Sequence, residues 1–139
     1  MNFPVVTLLK SDKLIYAAPD EKELKKASID LIDIFKDAIF IDSIGIRYLV
    51  AKAYKIGWAT ILWGYNPLIK GRTAKIDFEI KTQSQVSLED FKIVLIERME
   101  QKYSEHLYFD LKKEDMLIKI SSSNNFKELI ELFLYGSTS

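Results

Sequence analysis

Asp42 and His106 are the side chains in this sequence that raise the question of acid–base chemistry. Asp42 ends an apolar run just before the turn residue Gly45, where burial would raise its pKa toward the range of a general acid. A carboxylate in such a position more commonly accepts hydrogen bonds from turn amides. His106 is the only histidine and lies in a polar stretch without regular periodicity, which is typical of a surface or turn residue. If the chain binds a ligand, we expect Asp42, Tyr48 and His106 to line the pocket.

The sequence lacks the motifs that bring nucleophiles or cofactors to a site. It contains no G-x-S-x-G nucleophile turn, no phosphate-binding loop and no glycine fingerprint for dinucleotides. With no cysteine and one histidine, it offers no thiol nucleophile and no site that needs two imidazoles. We therefore predict no catalytic residue and no cofactor, and a protein that is not an enzyme.

Acidic residues spaced closely along the chain raise the question of a metal site, because hard cations prefer several oxygen ligands. Asp30, Asp33 and Asp37 fall on one face of a predicted helix, with Asp42 further on. Lysines lie nearby, and the glycine and glutamate spacing of a calcium-binding loop is missing. This pattern is typical of a solvated surface, and we predict no metal.

The most distinctive cluster of side chains is aromatic and basic: Trp58, Trp63 and Tyr65, followed by Lys70 and Arg72. Exposed, it would be a partner-binding surface, since large amphipathic rings bury much area at low entropic cost. Buried, it would be core, and the sequence leaves both interpretations open. Aromatic rings with cations also suit single-stranded nucleic acid. Because acidic residues follow directly and the chain is neutral, we predict no nucleic-acid partner.

Composition places the chain among ordinary globular proteins. It has 139 residues, 48% of them hydrophobic, with 20 basic and 20 acidic residues. This length and apolar fraction predict one domain over residues 1–139. No apolar stretch approaches the roughly 18 residues that span a bilayer, and the first residues do not resemble a signal peptide. We expect a cytoplasmic protein without a membrane partner.

Alternation and turn residues predict hairpins in the first half of the chain. Residues 3–9 and 14–17 are apolar runs around a polar loop, and residues 38–43 and 46–53 surround Gly45. Between the hairpins, Asp20 can cap a helix that apolar spacing extends to about residue 35.

The second half predicts one strand and late helices. Residues 74–82 alternate strictly between charged residues and residues that are mainly apolar, so one face of this strand should be buried away from water, and we call it the dry face. Ser87 caps a helix, and Asn124 or Asn125 caps a final one, whereas residues 116–120 read weakly as a strand or extended arm. The order predicts an α+β fold with a mainly antiparallel sheet. Two to three helices should pack chiefly on one face and cover the dry face of residues 74–82.

Several short segments resemble small, uncharacterised bacterial proteins, some of which are similar to the immunity partners of secreted polymorphic toxins. The resemblance rests on Phe3-Pro4-Val5, Ile41-Asp42-Ser43 with Gly45 and Tyr48, Trp63-Gly64-Tyr65, and Ser87-Leu88-Glu89-Asp90-Phe91-Lys92. It implies a small cytoplasmic α+β protein that binds and blocks a toxin without chemistry of its own.

Our leading hypothesis is a non-catalytic protein-binding domain whose partner is a cognate protein such as a toxin. One alternative is a small-molecule binder or enzyme with a pocket of a few hundred Å³ between sheet and helices. Another is a self-associating structural protein, such as a homodimer formed through the helix after Ser87. In that helix, Ile93 and Ile96 widen the apolar sector beyond one face.

Overall fold

The structure is a computed structural model that describes residues 1–58, 65–66, 69–103 and 111–135. Within these ranges the chain forms seven strands, four α-helices and one 3₁₀ helix. In chain order these are β1 Val5–Leu8, β2 Ile15–Ala18, α1 Glu21–Leu24, β3 Lys26–Ser28, the 3₁₀ helix Ile29–Phe35, β4 Ile39–Asp42, β5 Ile46–Trp58, β6 Tyr65–Asn66, β7 Ile69–Gln85, α2 Leu88–Gln101, α3 Lys113–Ser122 and α4 Phe126–Tyr135.

The strands form one antiparallel sheet in the order β2-β1-β4-β5-β7-β3, and β6 pairs with β7 beside this path. The predicted mixed α+β architecture with an antiparallel sheet is confirmed. Both predicted hairpins are present, because β1 pairs with β2 and β4 pairs with β5. In the turn between β4 and β5, Gly45 has a φ of +88°, a conformation that costs glycine little.

The predicted helix over residues 20–35 is wrong beyond its first turn. Asp20 does cap α1, since its carboxylate accepts a hydrogen bond from the Glu23 amide at 2.8 Å. The helix ends at Leu24, and β3 then pairs with β7, with Ala27 opposite Ala74. This strand pairing overrides the local helical spacing, and the following residues form the 3₁₀ helix.

The predicted strand or arm over residues 116–120 is also wrong, because these residues lie within α3. Met116 and Ile120 are its buried residues, four positions apart on one helical face. The predicted helix caps after β7 are confirmed. The Ser87 hydroxyl accepts from the Asp90 amide at 3.1 Å, and the Asn125 side-chain oxygen accepts from the Glu128 amide at 2.8 Å.

The buried side chains form two clusters. The first joins β1, β2 and β4 to the three longer helices, and its members are Val6, Leu8, Ile15, Ile41, Phe91, Leu95, Met99, Met116, Ile120, Leu129, Ile130 and Phe133. The second contains the alternate residues of β1 and β4, together with part of β5, and its members are Val5, Leu9, Ala18, Leu24, Ala38, Phe40, Tyr48 and Val50. Alternation along β1 and β4 thus sends neighbouring side chains into different clusters.

The prediction that the late helices cover the dry face of residues 74–82 is wrong for Phe78 and Ile80. Phe78 and Ile80 pack against the second cluster instead. The Phe78 ring contacts the Phe40 and Phe35 rings edge-on, at centroid distances of 4.8 and 5.2 Å. Because α2, α3 and α4 pack on β1, β2 and β4, the apolar side chains of β7 pack instead against Phe40 of β4 and against the 3₁₀ helix, which contributes Phe35.

Substituting Gly45 tests the contact between the β4–β5 turn and Phe126 of α4, which packs against the first cluster. In Gly45→Ala, the new Cβ would lie 2.7 Å from the Phe126 ring at a φ of +88°, so we expect a loss of about 2 kcal/mol or more in unfolding free energy. Gly57→Ala is the matched control, because apart from the two chain neighbours no heavy atom of the described residues lies within 4 Å of the Cβ it would gain. It should change stability by less than about 1 kcal/mol. Urea unfolding followed by circular dichroism measures both, and equal losses would contradict this description of the turn.

Candidate functional site

Asp42 is a fully buried carboxylate surrounded by hydrogen-bond donors. One oxygen accepts from the amides of Ile44 and Ile46, at 3.2 and 3.0 Å. The other accepts from the Asn2 amide at 3.0 Å and from the Tyr48 hydroxyl at 3.2 Å. Asp42 and Tyr48, two of the three pocket candidates, therefore contact each other, while His106 lies outside the described residues.

The donors around Asp42 control its ionisation. Burial by itself raises the pKa of this carboxyl, but the backbone amides and the Tyr48 hydroxyl outweigh it and hold the pKa below its ordinary value. Burial raises the pKa of the Tyr48 hydroxyl, and the negative charge of Asp42 adds to the rise. The pair consists of a carboxylate and a neutral phenol at neutral pH. This is opposite to the raised carboxyl pKa that a general acid needs.

The turn that holds Asp42 also joins distant parts of the chain. The Ser43 amide donates to the Asn2 carbonyl at 3.0 Å, and the Val86 amide donates to the Gly45 carbonyl at 3.0 Å. Phe126 at the start of α4 lies against Gly45 and stacks on Phe91 of α2 at a centroid distance of 5.6 Å. The geometry therefore gives the Asp42 centre a role in positioning the sheet and helices.

A second region contains most of the predicted partner-binding residues. Trp58 ends β5, Tyr65 lies in β6, and both Lys70 and Arg72 lie in β7, where Arg72 is opposite Tyr65 in the strand register. The structure thus brings four of these candidates onto adjoining strands. Trp63 lies outside the described residues. We call residues 51–58, 65–66 and 69–76 the basic ribbon.

The β5 side of the basic ribbon presents large side chains to solvent. Tyr54 is 43% exposed and Ile56 is 59% exposed. Trp58 is half-buried, with the Lys55 ammonium 3.5 Å from its ring centroid. Trp58 is therefore neither fully core nor fully surface, and its neighbours supply the exposed apolar area.

The side of β5 that faces away from β7 differs between the two halves of this strand. β4 pairs with β5 only from Arg47 to Leu49, and the Val50 amide then donates to the Ala38 carbonyl at 2.8 Å. From residue 51 to residue 57, the described part of the chain pairs with β5 only through β7. Register shifts flank residues 52–55, which pair regularly with residues 76–79. This short segment is a regular strand with an open edge within the described structure.

Sequence reasoning missed Tyr54 and Ile56 because it ended the strand at residue 53. A charge count could have indicated the region. Residues 43–76 contain six basic residues and no acidic residue, in a chain with 20 of each. The basic ribbon contains five of them, Lys52, Lys55, Lys70, Arg72 and Lys75. Its nearest described counter-charge is Glu79, 4.0 Å from the Lys52 ammonium.

The apolar surface predicted on α2 is only partly exposed. Ile93 on α2 is 52% exposed, whereas Ile96 packs against the first cluster. A homodimer through α2 stays a prediction.

The closely spaced acidic residues were considered as metal ligands. Among the described residues, no group of three acidic or histidine side chains could hold a metal ion. Asp37 instead lies 3.5 Å from the Lys10 ammonium.

Comparison with known proteins finds no matching family model, no similar curated protein and no similar solved structure. None of the helices in the described ranges has the length and apolar character needed to cross a membrane.

Substitution of Asp42 tests whether its ionised form stabilises the fold. In Asp42→Asn, the amide group presents donors to a site built from donors, and we expect a loss of about 2–4 kcal/mol in unfolding free energy at pH 7. Because the folded pKa is lowered, the contribution of the carboxylate is present above the ordinary value of 3.8 and is lost as pH falls through the folded value.

The stability gap between the wild type and Asp42→Asn should therefore narrow below about pH 4. Urea unfolding at a series of pH values measures it, with the exposed Asp33→Asn as the control that should change little. A gap that stays constant down to pH 2 would show that the Asp42 charge is not what stabilises the turn.

Proposed function

We propose that this chain is a non-catalytic protein-binding domain that holds an extended, acidic segment of a partner protein against the basic ribbon. The observation that carries the proposal is the edge of β5 at residues 52–55, which no described residue pairs with on the side away from β7, next to exposed Tyr54 and Ile56. A sheet edge binds extended peptides through main-chain hydrogen bonds, and adjacent side chains give specificity.

The charge of the basic ribbon defines the chemistry of this partner. Lys52 and Lys55 lie on the open strand itself, and residues 69–76 of β7 carry three basic residues and no acidic one. Two acidic residues follow on β7, where Glu79 is opposite Lys52 and Asp77 is opposite Tyr54. Asp77 is itself paired with Lys25 at 3.2 Å. An acidic segment therefore meets complementary charge along the ribbon, which favours the rate and register of association.

Exposed aromatic and aliphatic side chains supply the apolar part of the interaction. Tyr54 and Ile56 flank Lys55 on the open strand, and Trp58 follows at its end. Tyrosine and tryptophan are enriched among residues that dominate binding energy, because they bury much area with few rotatable bonds. A partner strand placed beside residues 52–55 would partly cover the side chains of Tyr54, Ile56 and Trp58.

The biological role that we propose follows from the resemblance to immunity proteins. A secreted toxin is a partner of the required kind, and occlusion of its active site would need only a rigid binding surface. We place this activity in the bacterial cytoplasm. We further propose that α2, α3 and α4 lie chiefly on one face of the sheet and stiffen it, which leaves the basic ribbon for the partner.

Binding of short peptides and an oligonucleotide tests the proposal directly. A fluorescent peptide of alternating glutamate and valine should bind, whereas the matching lysine–valine peptide should not. The double variant Lys52→Glu/Lys55→Glu should weaken binding by about tenfold or more, because two favourable charge contacts become repulsive. Fluorescence anisotropy at several salt concentrations measures the affinities.

The variant Lys119→Glu/Lys127→Glu is the matched control, since it makes the same charge change at exposed positions on α3 and α4. It should bind the acidic peptide like the wild type. Oligothymidine is the competing probe. Tighter binding of oligothymidine than of the acidic peptide, equal losses in the two double variants, or no peptide binding at all would each contradict the proposal.

A further inference from the structure

A cavity of about 500 Å³ lies between the β1–β2 hairpin and residues 23–35. Its walls are mainly apolar, with Leu24 from α1 and Ile34 and Phe35 from the 3₁₀ helix facing the hairpin. Leu31 stands at the mouth and is 51% exposed. Cavities of this size that combine apolar walls with a few polar groups are typical of small-molecule sites.

Thr7 of β1 provides a polar group inside this cavity. The residue is only 6% exposed and lies on the strand between Val5 and Leu9, both members of the second cluster. Within the described residues, no hydrogen bond to the Thr7 hydroxyl is present. No fully buried side-chain polar atom of the described residues lacks a partner, so the Thr7 hydroxyl is open to the cavity and available to a bound molecule.

The charged groups around the cavity restrict the ligand. The Asp12 carboxylate accepts from the Tyr16 hydroxyl at 2.6 Å and from the Leu14 amide at 2.9 Å. These hydrogen bonds hold the pKa of Asp12 below its ordinary value, so the group is negative at neutral pH. Lys102 lies 3.6 Å from the same carboxylate and balances it.

At the other side of the cavity, the Lys26 ammonium lies 3.1 Å from the Glu23 carboxylate. The nearby charges are therefore paired with each other, and two of the lining groups are carboxylates. An anionic ligand would be repelled by those carboxylates, and a cationic one would meet groups already neutralised. The surroundings favour a molecule without net charge.

We propose that this cavity binds a neutral, mostly apolar small molecule whose hydroxyl group hydrogen-bonds the Thr7 side chain. This site is separate from the basic ribbon, and its ligand is independent of the partner protein proposed above. The sequence placed a possible pocket at Asp42, Tyr48 and His106, whereas neither Asp42 nor Tyr48 lines this cavity and His106 lies outside the described residues.

Three matched probes test the proposal on the full chain: 2-naphthol, naphthalene and 2-naphthoate. NMR titration of ¹⁵N-labelled protein should show shifts around Thr7 and Leu24 with 2-naphthol. We expect 2-naphthol to bind about fivefold more tightly than naphthalene because of one added hydrogen bond, and 2-naphthoate to bind most weakly.

The isosteric variant Thr7→Val should remove the advantage of 2-naphthol over naphthalene while leaving naphthalene binding unchanged. Thr82→Val, the same substitution at an exposed position of β7, is the control and should keep the fivefold difference. The amide spectra of both variants report directly whether they fold. The proposal is overturned if 2-naphthol causes no shifts around Thr7, if 2-naphthoate binds most tightly, or if Thr7→Val keeps the preference for the hydroxyl.

Discussion

The Asp42 carboxylate is fully buried, and its two oxygens accept hydrogen bonds from three backbone amides and one hydroxyl. A buried charge is costly unless its partners compensate, and removal of one partner would leave an uncompensated charge. The donors come from the start of the chain, from the β4–β5 turn and from β5. The same turn contacts Phe126 of α4 and binds the Val86 amide before α2. The Asp42 carboxylate therefore holds the β4–β5 turn in place, and this turn fixes the position of the sheet relative to α2 and α4.

Local chemistry predicted those elements whose ends are determined by nearby residues. Asp20, Ser87 and Asn125 accept the amide hydrogen bonds that begin helices, and Gly45 takes the left-handed conformation that its turn requires. The helix predicted after Asp20 was wrong because pairing of β3 with β7, far away in sequence, decides the structure there. Spacing alone could not show that interaction. For α3, the two buried residues are too few to distinguish a short helix from a strand.

The residues of the candidate sites were predicted better than their roles. The commoner role considered for Asp42, as an acceptor for turn amides, is the one it has, since the Ile44 and Ile46 amides donate to it. The sequence could not show that these donors, with others, would outweigh burial and lower the pKa of the carboxyl. Trp58, Tyr65, Lys70 and Arg72 were grouped by their types, and strand pairing brings them together. Tyr54 was missed because the strand continues beyond the alternating segment, through register shifts that interrupt the period of two.

Residue-resolved amide hydrogen exchange of the unmodified protein tests the central claim most directly. The account predicts that the amides of Asn2, Ile44 and Ile46 are protected nearly as strongly as those of the sheet centre, because all three donate to the same buried carboxylate. Exchange of Asn2 and Ile44 at the rates of an unfolded chain, alongside a protected sheet centre, would contradict it.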